Sequence, residues 1–145
     1  MEWIKDLPKC PKKLCFENKK PVNPNPSIWH SPAILGWPSK NYHAGLRGNA
    51  YEMRSKPTGK GCGNQCIYDD KGDVVRTIPT AGTADRVAPS GGYSKGHITE
   101  DVDTFTLAVE LDGGRIGWFT AISEQLESTN NIQKYYNVRP IIIEE

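Results

Sequence analysis

A chain of 145 residues, 37% apolar and 24% charged, has enough material for one hydrophobic core and a single domain. That balance excludes a disordered chain, and no apolar run nears the roughly 20 residues needed to cross a bilayer. The net charge of +1 conceals a split: residues 1–60 carry 11 Lys and Arg against 4 Asp and Glu, and residues 61–145 carry 7 against 13. The basic part suits nucleic acid or an anionic surface. Its lysines lack interleaved aromatics or a helical stripe, so a solvated loop, or attraction between the two parts, is the plainer reading.

The opening "MEWIKDLPKC" has a lysine but no apolar stretch behind it, so no signal peptide is expected and export would need another route. Residues 1–43 hold Pro8, Pro11, Pro21, Pro24, Pro26, Pro32 and Pro38, which argue against a long helix or a central strand. The same segment carries Trp3, Ile28, Trp29, Ile34, Leu35 and Trp37. Large apolar side chains in a proline-rich segment predict an arm that wraps an α+β core formed by residues 44–145.

From Leu46 the pattern changes. "LRGNAYEMRSK" reads as a strand. "NQCIYDDKGDVVRTI" reads as a hairpin, with Cys66 and Tyr68 on one face, a turn at Asp69-Asp70-Lys71-Gly72, and a return strand from Val74. "PTAGTADRVAPSGGYSKG" is a long loop of the kind that carries function. "HITEDVDTFTLAVELDGG" is a helix capped by Thr99. Glu100, Asp101 and Asp103 lie in its first turn, Val102, Phe105, Val109 and Leu111 form its stripe, and Gly113 ends it. "GWFTAISEQLES" predicts a shorter second helix, with Phe119, Ile122 and Leu126 inward. "YYNVRPIIIEE" predicts a last strand, kept to an edge by Pro140. The expected fold is α+β: a small antiparallel sheet from residues 45–80 plus the C-terminal strand, one or two helices from residues 98–128 on it, and the arm outside.

Four cysteines form two close pairs, Cys10/Cys15 and Cys62/Cys66. Three states stay open: disulfides tying the arm to the hairpin, a structural zinc on all four thiolates, or unpaired thiols. Cys66 as a nucleophile needs a base, and His97 lies beyond the long loop. "NQCIY" followed by "GHITE" loosely resembles the Cys-His peptidoglycan amidases. The cysteine of those enzymes opens a helix that lowers its pKa, whereas Cys66 here reads as part of a strand.

Histidines are few, and His97 has the richest setting. It follows the glycine-rich "GGYSKG" and stands four residues before Asp101, a spacing that pairs imidazole and carboxylate once the helix begins early. Such a pair orients a general base or holds a metal. Asp85 in "GTADR" is the third candidate. Tyr68 and Arg86, with Arg47 and Arg54 of the "NYHAGLRGNAYEMRS" stretch, are candidates for binding an anionic, phosphate- or nucleotide-bearing substrate. Helix capping and turn formation account for Asp101 and Asp85 without chemistry. No catalytic metal is predicted, and no P-loop, H-E-x-x-H, G-x-S-x-G or zinc-deaminase signature occurs.

The pieces "DLPKCP", "YHAGLRGNAYEMRSK", "GNQCIYDDKGDVV", "AGTADRVAP", "GHITEDVDTF", "LDGG" and "YYNVRP" occur in an order and spacing that resemble the C-terminal domains of polymorphic bacterial toxins of the Rhs and PAAR-linked type, exported by type VI secretion. The resemblance runs from Asp6 to Pro140, through Gln65, Cys66, Tyr68, Asp69, Gly72, Gly82, Asp85, His97 and Asp101. It implies a secreted antibacterial effector delivered into a target cell, carried by a secretion apparatus and neutralised by a cognate immunity protein. The expected activity is hydrolysis by His97 with Asp101 or Asp85, on a nucleic acid or nucleotide among other targets. The rivals are a Cys66–His97 amidase and a non-enzymatic binding or carrier module.

Overall fold

A computed structural model describes residues 2–36, 42–43, 46, 48–78, 80–89, 95–112 and 130–145. The chain opens with a single helical turn, α1 (Glu2–Lys5), and a small hairpin, β1 (Phe16–Glu17) with β2 (Lys20–Pro21). The main sheet is antiparallel, in the order β3 (Ala33–Ile34), β4 (Tyr51–Arg54), β5 (Gly63–Tyr68), β6 (Ala84–Asp85). One helical segment begins as α2 (Lys95–His97), passes through a π-helical turn (Ile98–Val102) and continues as α3 (Asp103–Leu111). Then comes α4 (Asn130–Val138). The fold is α+β, as the sequence predicts.

The sheet register sorts the side chains. Residues directly opposite each other in an antiparallel pair share a face. Tyr51 faces Tyr68 and Met53 faces Cys66 on one side, while Glu52 faces Ile67 and Arg54 faces Gln65 on the other. The first face packs on Cys10, Leu14 and Trp29. A disulfide joins Cys10 to Cys66 across 56 residues of chain, and Cys10 also exchanges backbone hydrogen bonds with Ile142 and Glu144. The second face carries the charged groups described below. β5 is buried along its whole length because both faces are covered.

Several expectations are revised. Ala33–Ile34, inside the proline-rich arm, is an edge strand of the main sheet. The return limb of the β5 hairpin is reduced to a bridge between Tyr68 and Val74 and a Val75 N–H to Ile67 carbonyl bond. Its turn is as expected: Asp69 Oδ1 accepts from the backbone N–H groups of Lys71 and Asp73, and Gly72 takes φ +84°. The long loop contains β6, which completes the sheet. The helix starts at Lys95, so Thr99 lies within the π-helical turn and is not its cap. Tyr135 to Val138 are helical, not a strand. Pro140 follows the helix end, and only Ile143 makes a strand-like bridge, parallel to Cys10. The predicted helix over 117–128, with Phe119, Ile122 and Leu126, and the end signal at Gly113 lie outside the described residues.

A second apolar cluster joins the helices. Phe105, Ala108 and Val109 of α3 meet Ile132, Tyr135 and Tyr136 of α4. Phe105, Tyr135 and Tyr136 contact one another edge to face, with centroids 5.2 to 6.2 Å apart. Asp112, just past α3, caps α4: its carboxylate accepts from the backbone N–H of Asn131 at 3.0 Å and of Ile132 at 2.8 Å. That cap ties the start of α4 to the end of α3.

Candidate active site

The second face of the sheet, the start of the helical segment and α4 converge on a cavity. Its lining includes Tyr42, His43, Arg54, Asp85, His97 and Phe105. Asp85 closes β6 at the sheet edge. Gly82 allows that strand to approach, since a Cβ there would lie 2.0 Å from the Gln65 carbonyl oxygen. Gln65 N–H donates to the Thr83 carbonyl at 3.0 Å. Arg54, two strands away, reaches Asp85 Oδ2 at 2.7 Å and lies 3.7 Å from Glu52, which in turn accepts from Gln65 Nε2 at 3.2 Å.

His97 and Asp101 stand four apart on the helical segment, as the spacing predicts, with His97 Nδ1 3.3 Å from Asp101 Oδ2. Nδ1 lies closer still to the Val87 carbonyl, at 2.8 Å. A carbonyl only accepts, so Nδ1 carries the proton in the neutral ring and Nε2 is its acceptor atom. Asp101 also accepts the backbone N–H of Arg86 at 2.7 Å and of Val87 at 2.9 Å, and it is clamped by the guanidinium of Arg139. The π-helical turn carries Asp101, and such turns gather at functional sites.

Electrostatics separates the two carboxylates. Burial pushes Asp85 up to about 6, outweighing the Arg54 charge beside it. Burial also works against the Asp101 anion, yet its bonds from His97, the two backbone N–H groups and Arg139 hold its pKa below the usual carboxylate range. For His97, burial opposes the cation. The Asp101 bond and the nearby Asp85 charge overcome it and raise the imidazole above its ordinary value. The result is an ionised orienting carboxylate, an imidazole of raised basicity, and a second carboxyl whose proton affinity is raised by burial. Pairs of titratable groups tuned in this way are typical of acid–base sites.

The three side chains also offer ligand atoms within 4.8 Å of one another. Arg54 and Arg139 already supply the two carboxylates with the countercharge a cation would bring. Proton transfer suits this donor set better than metal binding.

The other candidates divide. Arg54 is in the site. Tyr68 is on the opposite face, fully buried, with its hydroxyl donating to the Pro11 carbonyl at 2.8 Å, so it reaches no substrate here. Arg86 contributes its backbone N–H, while its side chain is exposed, stacks over Trp3 and donates to Cys62 Sγ. Arg47 lies outside the described residues. Cys66 is bonded to Cys10 and has no thiolate to offer as a nucleophile. The same bond removes both from a four-thiolate zinc set, leaving Cys15 exposed and Cys62 buried as free thiols.

Two contributors come from segments read otherwise. Arg139 follows α4, in a stretch that reads as strand, and only the helix brings it under Asp101. His43 is buried and lines the cavity from the "NYHAGLRGNAYEMRS" stretch, whose arginines and not its histidine are the candidates in the sequence. Comparison with protein-family models, with curated proteins and with solved structures finds no match to this chain.

Proposed function

We propose that this chain is the effector domain of a secreted antibacterial toxin, and that it is a hydrolase with His97 at its centre. The observation that carries the reading is the buried Asp85–His97–Asp101 cluster at the wall of a cavity. Three ionisable side chains are taken out of water and set against one another there, at a cost that packing alone does not require. Asp101 holds the His97 ring through Nδ1 and stabilises the imidazolium as it forms. Nε2 takes a proton from water while the water oxygen bonds to the electrophilic centre. In the molecules where the proton sits on Asp85 and His97 is neutral, Asp85 gives that proton to the leaving group as the scissile bond breaks. Arg54 occupies Asp85 Oδ2, so the proton sits on Oδ1. His97 then returns a proton to Asp85, and the cycle closes with one water added across one bond. The cationic Arg54 edge suits charge that builds on the substrate at that step. Delivery by a secretion apparatus and protection by an immunity protein accompany this reading, through the resemblance to the Rhs and PAAR-linked domains.

The test is expression in the cytoplasm and, separately, directed to the periplasm. Growth arrest in one compartment is expected, and a folded His97→Ala chain should lose toxicity by 10²–10⁴-fold, the usual worth of a general base. A folded His97→Ala chain as toxic as the parent would overturn the mechanism. No arrest in either compartment would favour the binding or carrier module.

A further inference from the structure

His43 plays no part in the proton transfers above, yet it lines the same cavity. It is 6% exposed. Its Nδ1 sits 3.2 Å from the Thr80 carbonyl and 3.1 Å from that of Ala81. Both are acceptors, so Nδ1 bears the hydrogen, and Nε2 is left as a lone pair that no described residue engages. Burial first, and the Arg54 charge second, hold this imidazole down to about 4, so it stays neutral across the range in which cells live. Among the described buried side-chain atoms only Asn64 Oδ1 lacks a partner, so His43 Nε2 opens onto the cavity, where it can take a hydrogen from a ligand.

The ligand is described by the rest of the wall. The cavity offers about 40 Å³, room for roughly three water-sized groups, so it admits the polar edge of a substrate and not its bulk. The polar lining holds donors and acceptors together, Arg54 and Thr83 with Asp85, Gln65 and His43, though Arg54 is also bonded to Asp85 and the Gln65 amide to Glu52. The apolar lining is mostly aromatic, with Tyr42, Phe105, Tyr135 and Tyr136 beside Val102. Adjacent hydroxyls, each able to donate and accept, next to a C–H face that packs on aromatic rings, fit that combination. We infer that the cavity takes the hydroxyl edge of a sugar ring, and that Nε2 of His43 accepts a hydrogen from one of its hydroxyls. This rests on reading the cavity as the substrate site and names the substrate class that site takes. The sugar has two sources, the glycan of a cell wall or the ribose of a nucleotide.

The experiment is ¹⁵N NMR of the imidazoles of the whole chain, titrated in turn with N-acetylglucosamine and with adenosine. Without sugar, His43 should show a bare Nε2 from pH 5 to 8. One of the two sugars should shift that resonance saturably, and its identity assigns the source. His43→Asn keeps a side-chain N–H for the Thr80 and Ala81 carbonyls but loses the distal acceptor. It should fold, with an unchanged melting temperature, and bind the same sugar at least tenfold more weakly. A saturable sugar shift in a parent chain that arrests growth in neither compartment would leave this inference standing while the hydrolytic mechanism fails, which separates the two. A proton on Nε2 in the sugar-free chain, no saturable shift with either sugar, or a folded His43→Asn that binds as the parent does would each overturn it.

Discussion

The two faces of the β4–β5 pair hold opposite kinds of interior. On one, Tyr51, Met53, Cys66 and Tyr68 meet Cys10, Leu14 and Trp29 in an apolar cluster closed by a covalent bond. On the other, Arg54 and Gln65 face Asp85, His97 and Asp101 in a cluster of charges. The apolar side is stabilised by area, shared among many contacts, and is indifferent to pH. The charged side depends on every partner being present, because a buried charge deprived of its mate costs more than the pair gains. The first face fits a structural role and the second a chemical one, although a single strand, β5, supplies both.

The largest test of that contrast is chemical. Reducing the disulfide, or replacing Cys66 by Ala, should lower unfolding stability by about 4 kcal/mol for a loop of this size, measured by denaturant titration with and without reductant. An unchanged midpoint would mean the apolar contacts hold that face alone. Next, Arg139→Ala leaves Asp101 buried without its guanidinium and should cost about 3 kcal/mol. The same substitution should also raise the Asp101 pKa, visible by carboxyl NMR, and a loss of stability without that rise would make Arg139 a packing residue only.

The third test uses pH. Asp85 has a folded pKa of about 6, above its unfolded value, so the native state takes the proton first. Its favourable contribution is complete below about pH 4 and is lost as the pH climbs through 6. Relative to Asp85→Asn, the parent should therefore gain on the order of 2 kcal/mol between pH 7 and pH 4. A flat difference would mean that Asp85 keeps its charge. The smallest effect belongs to the turn. Asp69→Ala removes two bonds to backbone N–H groups at a half-buried position and should cost about 1 kcal/mol by thermal melting, with no change in the His97 titration.

Much of this was legible in the chain because the signals are local. The β5 strand and its Asp69–Gly72 turn follow from alternation and from an Asp and a Gly at the positions a tight turn demands. The His97–Asp101 pair follows from a spacing of four. Asp85 and Arg54 emerge as polar residues in the right neighbourhoods, but nothing in the sequence says that they touch. The misreadings have tertiary causes. "YYNVRPIIIEE" has the aromatics and branched residues of a strand, yet Tyr135 and Tyr136 are held in a helix by packing on Phe105 and by the remote cap from Asp112. Tyr68 shares a hairpin with Cys66 and so inherits its face, which is the face away from the cavity. The role of Arg139 depends on a contact across 38 residues, and no periodicity reports such a contact.

One pairing described above bears on how the molecule comes into being. Residue 10 bonds to the backbone at 142 and 144, so the apolar face of the sheet closes only when two segments far apart along the sequence meet. A contact of that separation forms late, because a long loop must close before it stabilises anything. Acquisition of structure should then be a late and all-at-once event, and a version stopped short of residue 141 should remain without a settled core.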